Sequence, residues 1–166
     1  MARSLFWSVC TTWIVTRDKK WYLADVWRQR VDYPALKAAV LGRAASWKPT
    51  RILVEDAGSG TPLVQELICK VNGIIAVKPE GDKIRRMAAA SAKIEAGQVL
   101  LPERASWLAD LEAELFVFPA GRHDDQCDSV SQALQDTNTS FMDWMTDEDF
   151  HGLIRAIRSQ PQRPLY

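Results

Sequence analysis

Acidic residues stand together at two places in the chain where carboxylates could act jointly on a cation. Glu55 and Asp56 end a short apolar segment. Asp124, Asp125 and Asp128 follow a loop much further along the chain. Carboxylates that meet in a cleft repel one another unless a hard cation such as Mg²⁺ binds between them. Two such ions about 3.5–4 Å apart can activate water and stabilise the leaving oxygen in phosphodiester hydrolysis.

Each acidic cluster also has an explanation that needs no metal. Glu55 and Asp56 could be an ordinary polar strand end before the glycine-containing turn at residues 57–60. The later acids could cap a helix, because Asp oxygens accept hydrogen bonds from its free N–H groups and negative charge favours that end of the helix dipole. Asp125 and Asp128 are three residues apart, so they share one face of that helix. The sequence leaves both explanations open.

Basic residues and a histidine near these acids could contact phosphate groups. Lys83, Arg85 and Arg86 stand near a predicted helix start, where a solvated helix end explains them equally well. His123 directly precedes the acids and could contact phosphate or carry a proton, although a single His is more often structural. The glycine-containing turn lacks the Lys and the spacing of a phosphate-binding loop, and we interpret it as a turn.

The composition limits the class of protein. The chain has 166 residues, of which 47% are hydrophobic, which suits one domain with a real core. Its 21 basic and 21 acidic residues cancel, which weakens any claim of strong non-specific nucleic-acid binding. No apolar run approaches the roughly 18–20 residues of a membrane span, and no secretory signal is visible. Three separated cysteines without CxxC spacing predict free thiols in a reducing cytoplasm.

Sequence periodicity predicts a mixed α/β fold that could position these residues. Sheet formers predict a hairpin at 8–15 and 21–28, buried parallel strands at 51–56 and 74–77, and a short strand at 98–101. Helical spacing and capping residues predict helices at 35–47, 61–71, 84–94, 106–116, 124–134 and 147–157.

The domain organisation expected from these elements is simple. We expect one domain over residues 1–166, with its core at about 8–135 and a helical tail at 136–166. The last residues, from Ser159 onward, contain two prolines and are expected to fray.

Several segments between residues 8 and 134 carry a family resemblance. They are SVCTTW at 8–13, YLADVWRQRVDYPALK at 22–37, ILVEDAGSGTPLVQEL at 52–67, DKIRRM at 82–87, EAGQVLLP at 95–102 and FPAGRHDDQCDSVSQAL at 118–134. In this order they resemble the C-terminal nuclease domain of tailed-phage terminase large subunits. The HDDQ and DVWRQRVDYP stretches argue against a resolvase or transposase, which would be other RNase H-like enzymes.

The resemblance implies an RNase H-like mixed sheet flanked by helices, and Mg²⁺- or Mn²⁺-dependent cleavage of concatemeric double-stranded DNA during packaging. In the family, acids at the end of a parallel strand and at the start of a late helix bind metal. The first of these positions corresponds to Glu55, with Asp56 less favoured. The second corresponds to Asp124, Asp125 and Asp128, with Asp125 our first choice. The implied partners are DNA, the terminase small subunit, the portal and an ATPase domain, in a bacterial cytoplasm.

The chain departs from the family pattern at another acid, which normally lies on a strand just before the SVCTTW-like segment. Here no acid precedes Asp18, which falls in the hairpin turn, and Asp25 falls on the next strand. We therefore expect a truncated chain or prophage remnant without the first central strand, and with lowered metal affinity. The residues before Ser8, self-association with a second chain, or rearranged pairing would fill the gap.

Two function hypotheses follow from the residues and the resemblance. The leading hypothesis is a terminase endonuclease domain that uses two metal ions and whose activity the loss of the first acid impairs. The alternative is a catalytically inactive module for DNA binding or terminase assembly. The presence or absence of metal-dependent cleavage distinguishes them.

Overall fold

The computed structural model describes residues 7–136, 152 and 161–165. These residues form two compact units. One unit is built mainly from Gln29–Gly81, and the other from Val9–Arg28 and the described residues after Gly81. The single-domain organisation stays a prediction, and the helix predicted at 147–157 lies outside the described residues.

The described elements follow the predicted order along the chain. They are β1 (Ser8–Val15), β2 (Trp21–Gln29), α1 (Tyr33–Trp47), β3 (Ile52–Glu55), α2 (Gly60–Leu67), β4 (Ile74–Val77), α3 (Lys83–Glu95), β5 (Val99–Pro102), α4 (Leu108–Val117), α5 (Asp125–Gln135) and β6 (Gln162–Pro164). The mixed α/β class is confirmed. Most ends differ from the prediction by one or two residues, as frayed helix ends usually do.

The described strands form two sheets. In the four-stranded sheet the order is β1-β2-β5-β6, with β2 parallel to β5 and β5 antiparallel to β6. In the two-stranded sheet β3 runs parallel to β4, with Glu55 opposite Val77 at the carboxyl end. The parallel pair was predicted, but the β3 side chains are half-buried rather than fully buried.

In the unit around Gln29–Gly81, α1 and α2 pack with the two-stranded sheet. The buried residues at its centre are Leu63, Val64, Leu67 and Ile74. Helix α2 is shorter than predicted, since it ends at Leu67 instead of residue 71. The N–H groups of Lys70 and Val71 both donate to the Leu67 carbonyl, which tightens the chain into a turn before Gly73.

In the other unit, three helices pack on the four-stranded sheet. The buried core includes Leu101, Leu111, Val130 and Leu134, so residues of β5, α4 and α5 meet at its centre. Ala90 of α3 is fully buried in the same core. This packing holds α3 and α5 in place, and the first turns of these helices carry charged residues of the predicted site.

At residues 162–164 the structure shows a strand, which corrects the helical tail and the fraying expected for these residues. β6 adds to the sheet edge, where a proline is tolerated, and the N–H of Leu165 donates to the carbonyl of Val99 at 3.2 Å. The Leu165 side chain is buried in the core. Burial of this leucine holds the segment against the sheet, whereas sequence reasoning gave weight only to the neighbouring prolines.

Two further expectations concern the membrane and the cysteines. Among the described residues, no helix is long and apolar enough to cross a membrane. The cysteines are free: Cys127 is buried, Cys10 is half-buried and Cys69 is exposed. The prediction of free thiols is confirmed.

Candidate functional site

The first turn of α5 carries three of the predicted acids, and a different residue caps it. Asp124 occupies the N-cap position, but its side chain makes no capping hydrogen bond. Glu114 of α4 reaches the helix start instead, and its Oε1 accepts a hydrogen bond of 2.6 Å from the backbone N–H of Gln126. The capping explanation of Asp124 is therefore wrong, and its carboxylate remains available for other partners.

Those other partners are the basic residues at the start of α3. The Lys83 Nζ lies 2.7 Å from Asp124 Oδ2 and 3.4 Å from Asp128 Oδ2. Arg86 Nη2 lies 2.7 Å from Asp128 Oδ1. The hydrogen bond to Asp124 is the main cause that raises the pKa of Lys83. Two carboxylates of α5 thus already share one cationic group, the ammonium of Lys83.

The local sequence explains why the α3 cations point at these acids. Asp82 caps α3, and its Oδ1 accepts from the backbone N–H of Arg85 at 2.8 Å. This cap fixes the start of the helix, so that Lys83 and Arg86, three residues apart, share one face. Arg85 lies between them and is exposed. Their contact with DNA stays a prediction. Lys83 and Arg85 are exposed, whereas Arg86 is half-buried.

Asp125 lies in surroundings that disfavour its negative charge. Burial raises the pKa of Asp125, and the nearby charges of Glu114 and Asp124 raise it further, against smaller opposing effects of Arg28 and His123. A carboxylate that is partly desolvated and surrounded by other acids gains most from a bound cation. The place of Asp125 as the first-choice metal ligand stays a prediction.

A buried network behind α5 was missed by sequence reasoning. Arg28 Nη2 lies 3.2 Å from Glu114 Oε2, and the two side chains are 20% and 6% exposed. Gln126 Nε2 donates to the same oxygen at 2.9 Å. A signal was present, because Glu114 stands between Leu111 and Leu115 on the predicted apolar face of α4. A charged residue on a buried face needs a partner.

Cys127 lies in the same network and offers no nucleophile. It is 1% exposed, and burial is the main cause that raises the pKa of its thiol to about 12. Because the thiolate is the reactive form, this residue is a packing residue.

Glu55 and Asp56 belong to the other unit, at the carboxyl end of β3. The Thr61 hydroxyl, in the first turn of α2, donates to Asp56 Oδ1 at 2.8 Å and so holds that carboxylate. A Cβ on Gly60 would lie 1.9 Å from the Glu55 carbonyl oxygen, so only glycine fits this turn. Within the described part of the chain, Glu55 makes no side-chain hydrogen bond or ion pair, which favours it over Asp56 as a ligand.

The fit of a divalent cation rests on the oxygens that converge on Lys83. No three His, Cys, Asp or Glu side chains among the described residues group closely enough to hold a metal ion. Mg²⁺ nevertheless binds through one or two carboxylates and keeps several waters. Asp124 and Asp128 meet that requirement, since both already contact one cationic group. The structure brings together Asp124, Asp128, Lys83 and Arg86, with Asp125 and His123 beside them.

Comparison with known proteins adds one finding. A family model described as a Terminase RNaseH-like domain matches residues 6–137, a span that includes every predicted site residue. No curated protein and no solved structure gives a significant match to the chain.

Proposed function

The chain belongs to the terminase RNase H-like domain family, and on that premise we propose that it is the metal-dependent endonuclease domain of a phage DNA-packaging terminase. Its substrate would be concatemeric double-stranded DNA, cleaved by phosphodiester hydrolysis. The observation that best supports this role is the convergence of Asp124 and Asp128 on one cationic group at the start of α5. The desolvated setting of Asp125 beside them adds support.

Each residue of the site has a proposed role. Asp124 and Asp128 would bind the cation, with Asp125 beside them. Glu55, or less favourably Asp56, is a candidate ligand on the other unit, at the end of β3. Mg²⁺ or Mn²⁺, as one ion or a pair, would supply the Lewis acid that activates water and stabilises the leaving oxygen.

The basic residues would act on the DNA backbone. Arg85 is exposed and would contact phosphate directly. Lys83 and Arg86 would contact phosphate once a metal ion takes over the carboxylates, since an ammonium or guanidinium released from an acid needs a new anionic partner. His123, whose charge acts on Asp125, would contact phosphate or carry a proton.

An inactive module for DNA binding or terminase assembly is the second candidate. One observation favours it: within the described residues, Lys83 and Arg86 already neutralise Asp124 and Asp128, and no third acidic ligand groups with them. In that case the small subunit, the portal or an ATPase domain would be the partners that matter. A domain that still cleaves DNA, but at a reduced rate, would be intermediate between the two candidates.

Cleavage of supercoiled plasmid in Mn²⁺ distinguishes the two candidates. We expect wild-type protein to nick the plasmid, and EDTA or Asp125→Ala to abolish nicking. The matched control is Asp110→Asn, which changes an exposed acid on α4 and should leave nicking unchanged. Nicking that persists in EDTA would contradict the metal-dependent mechanism. No nicking by folded protein would support the inactive module.

A further inference from the structure

An almost completely buried carboxylate, which is not one of the proposed metal ligands, lies behind the acids of α5. The side chain of Glu114 is only 6% exposed, and burying a charged carboxylate is unfavourable unless its oxygens are paired. Both oxygens are paired here. Oε1 accepts from the backbone N–H groups of Gln126 at 2.6 Å and Cys127 at 3.4 Å. Oε2 accepts from the Gln126 side chain at 2.9 Å and pairs with Arg28 at 3.2 Å.

These contacts fall on the backbone directly after the site acids. The first N–H groups of a helix have no partner within it, and in α5 Glu114 supplies an acceptor for two of them. Gln126 is the residue after Asp125, and Cys127 is the residue before Asp128. The carboxylate therefore fixes the backbone between these two acids, and the Asp128 side chain meanwhile pairs with Lys83 and Arg86.

We infer that Glu114 is a positioning residue, which holds the first turn of α5 so that its acids face the cation, with Arg28 as its counter-ion. This inference rests on the proposed function, because it assigns Glu114 a task in that same site. Glu114 acts through the backbone and contacts neither metal nor DNA. Positioning the α5 backbone requires a hydrogen-bond acceptor at residue 114, whereas an ion pair that only stabilises the fold requires no more than opposite charges at residues 28 and 114.

The test compares Glu114→Gln with Glu112→Gln in the full chain. Both changes remove a carboxylate of α4 that forms an ion pair, but Glu112 pairs with Arg163 and has no contact with the α5 start among the described residues. The first readout, taken without metal, is the ¹H–¹⁵N spectrum. We expect the amide protons of Gln126 and Cys127 to move upfield in Glu114→Gln only, because a charge-assisted hydrogen bond is replaced by a weaker one.

The second readout is function. We expect Glu114→Gln to weaken Mn²⁺ binding about tenfold and to lower kcat for plasmid nicking by a similar factor, as partners of metal ligands usually do. KM for DNA should change little, because Glu114 makes no contact with substrate. Arg28→Lys should retain most of the Mn²⁺ affinity, since it keeps a counter-ion. Unchanged amide signals and unchanged Mn²⁺ affinity in Glu114→Gln would overturn the inference.

A charge-reversed pair separates positioning from simple pairing. Arg28→Glu combined with Glu114→Arg keeps opposite charges but leaves the α5 amides without their acceptor. We expect no recovery of Mn²⁺ affinity, and full recovery in this double variant would contradict a positioning role. If wild-type protein neither binds Mn²⁺ nor cleaves DNA, the proposed function fails. The amide signals in Glu114→Gln then still decide whether Glu114 holds α5.

Discussion

Replacing Lys83 with methionine should make the α5 acids a better cation site. The Lys83 ammonium contacts Asp124 and Asp128, so a metal ion must displace it. The side chains of Lys83, Asp124 and Asp128 are 49%, 34% and 22% exposed, and exposed ion pairs contribute at most about 1 kcal/mol. Removing a competitor of about 1 kcal/mol corresponds to a gain of roughly fivefold in affinity, because 1.4 kcal/mol is tenfold.

Isothermal titration of Mn²⁺ at neutral pH and low salt measures this gain. The matched control is Lys78→Met, which removes an exposed positive charge from the other unit and should leave the affinity within about twofold. The difference between the variants should shrink at high salt, because exposed charges are screened over about 8–10 Å. An equal or lower affinity in Lys83→Met would refute the idea that this ammonium occupies the cation site.

Three further predictions concern stability. Asp125→Asn should raise the Tm at neutral pH and lose this advantage in acid, because the raised pKa means that the fold favours the protonated carboxyl and is destabilised as pH rises through that pKa. Glu114→Ala should lower the free energy of unfolding in urea by about 3–5 kcal/mol, since it removes the carboxylate that pairs with Arg28. Glu112→Ala should lower it by about 1 kcal/mol or less. Glu66→Gln should lower the Tm at neutral pH but not in acid. The hydrogen bond with Lys37 is the main cause that lowers the pKa of Glu66, so the stabilisation by the Glu66 carboxylate is lost as the pH falls through that pKa. A Tm difference that is independent of pH would contradict either titration argument.

Local patterns in the sequence account for most of the secondary structure. The hairpin was predicted because sheet-forming residues dominate β1 and β2, and β4 because an apolar run follows the Asn72-Gly73 turn. Such patterns act over a few residues, so they locate elements well. The end of α2 and the place of β6 depend on longer-range packing, such as the burial of Leu165 against the core, which no local pattern contains.

The sequence indicated the acids of the candidate site but not the side chains that pair with them in the fold. Asp124, Asp125 and Asp128 were recognised from spacing and from the family resemblance. The α3 residues that pair with these acids, and Glu114 of α4 that caps α5, are far from them in sequence. The sequence left open that these acids cap α5 themselves, whereas in the structure Glu114 accepts the hydrogen bonds at the helix start. It also assigned Lys83 and Arg86 to DNA, without the acids that hold them in this structure.

The most direct test of metal-dependent hydrolysis at the start of α5 is the rate of DNA cleavage as a function of Mn²⁺ concentration, in wild type and in Asp124→Asn. We predict a saturable rate in wild type, and a half-saturating Mn²⁺ concentration about tenfold higher in Asp124→Asn, because one of the converging oxygen ligands becomes neutral. A rate that does not depend on Mn²⁺, or identical curves for the two proteins, would contradict the account.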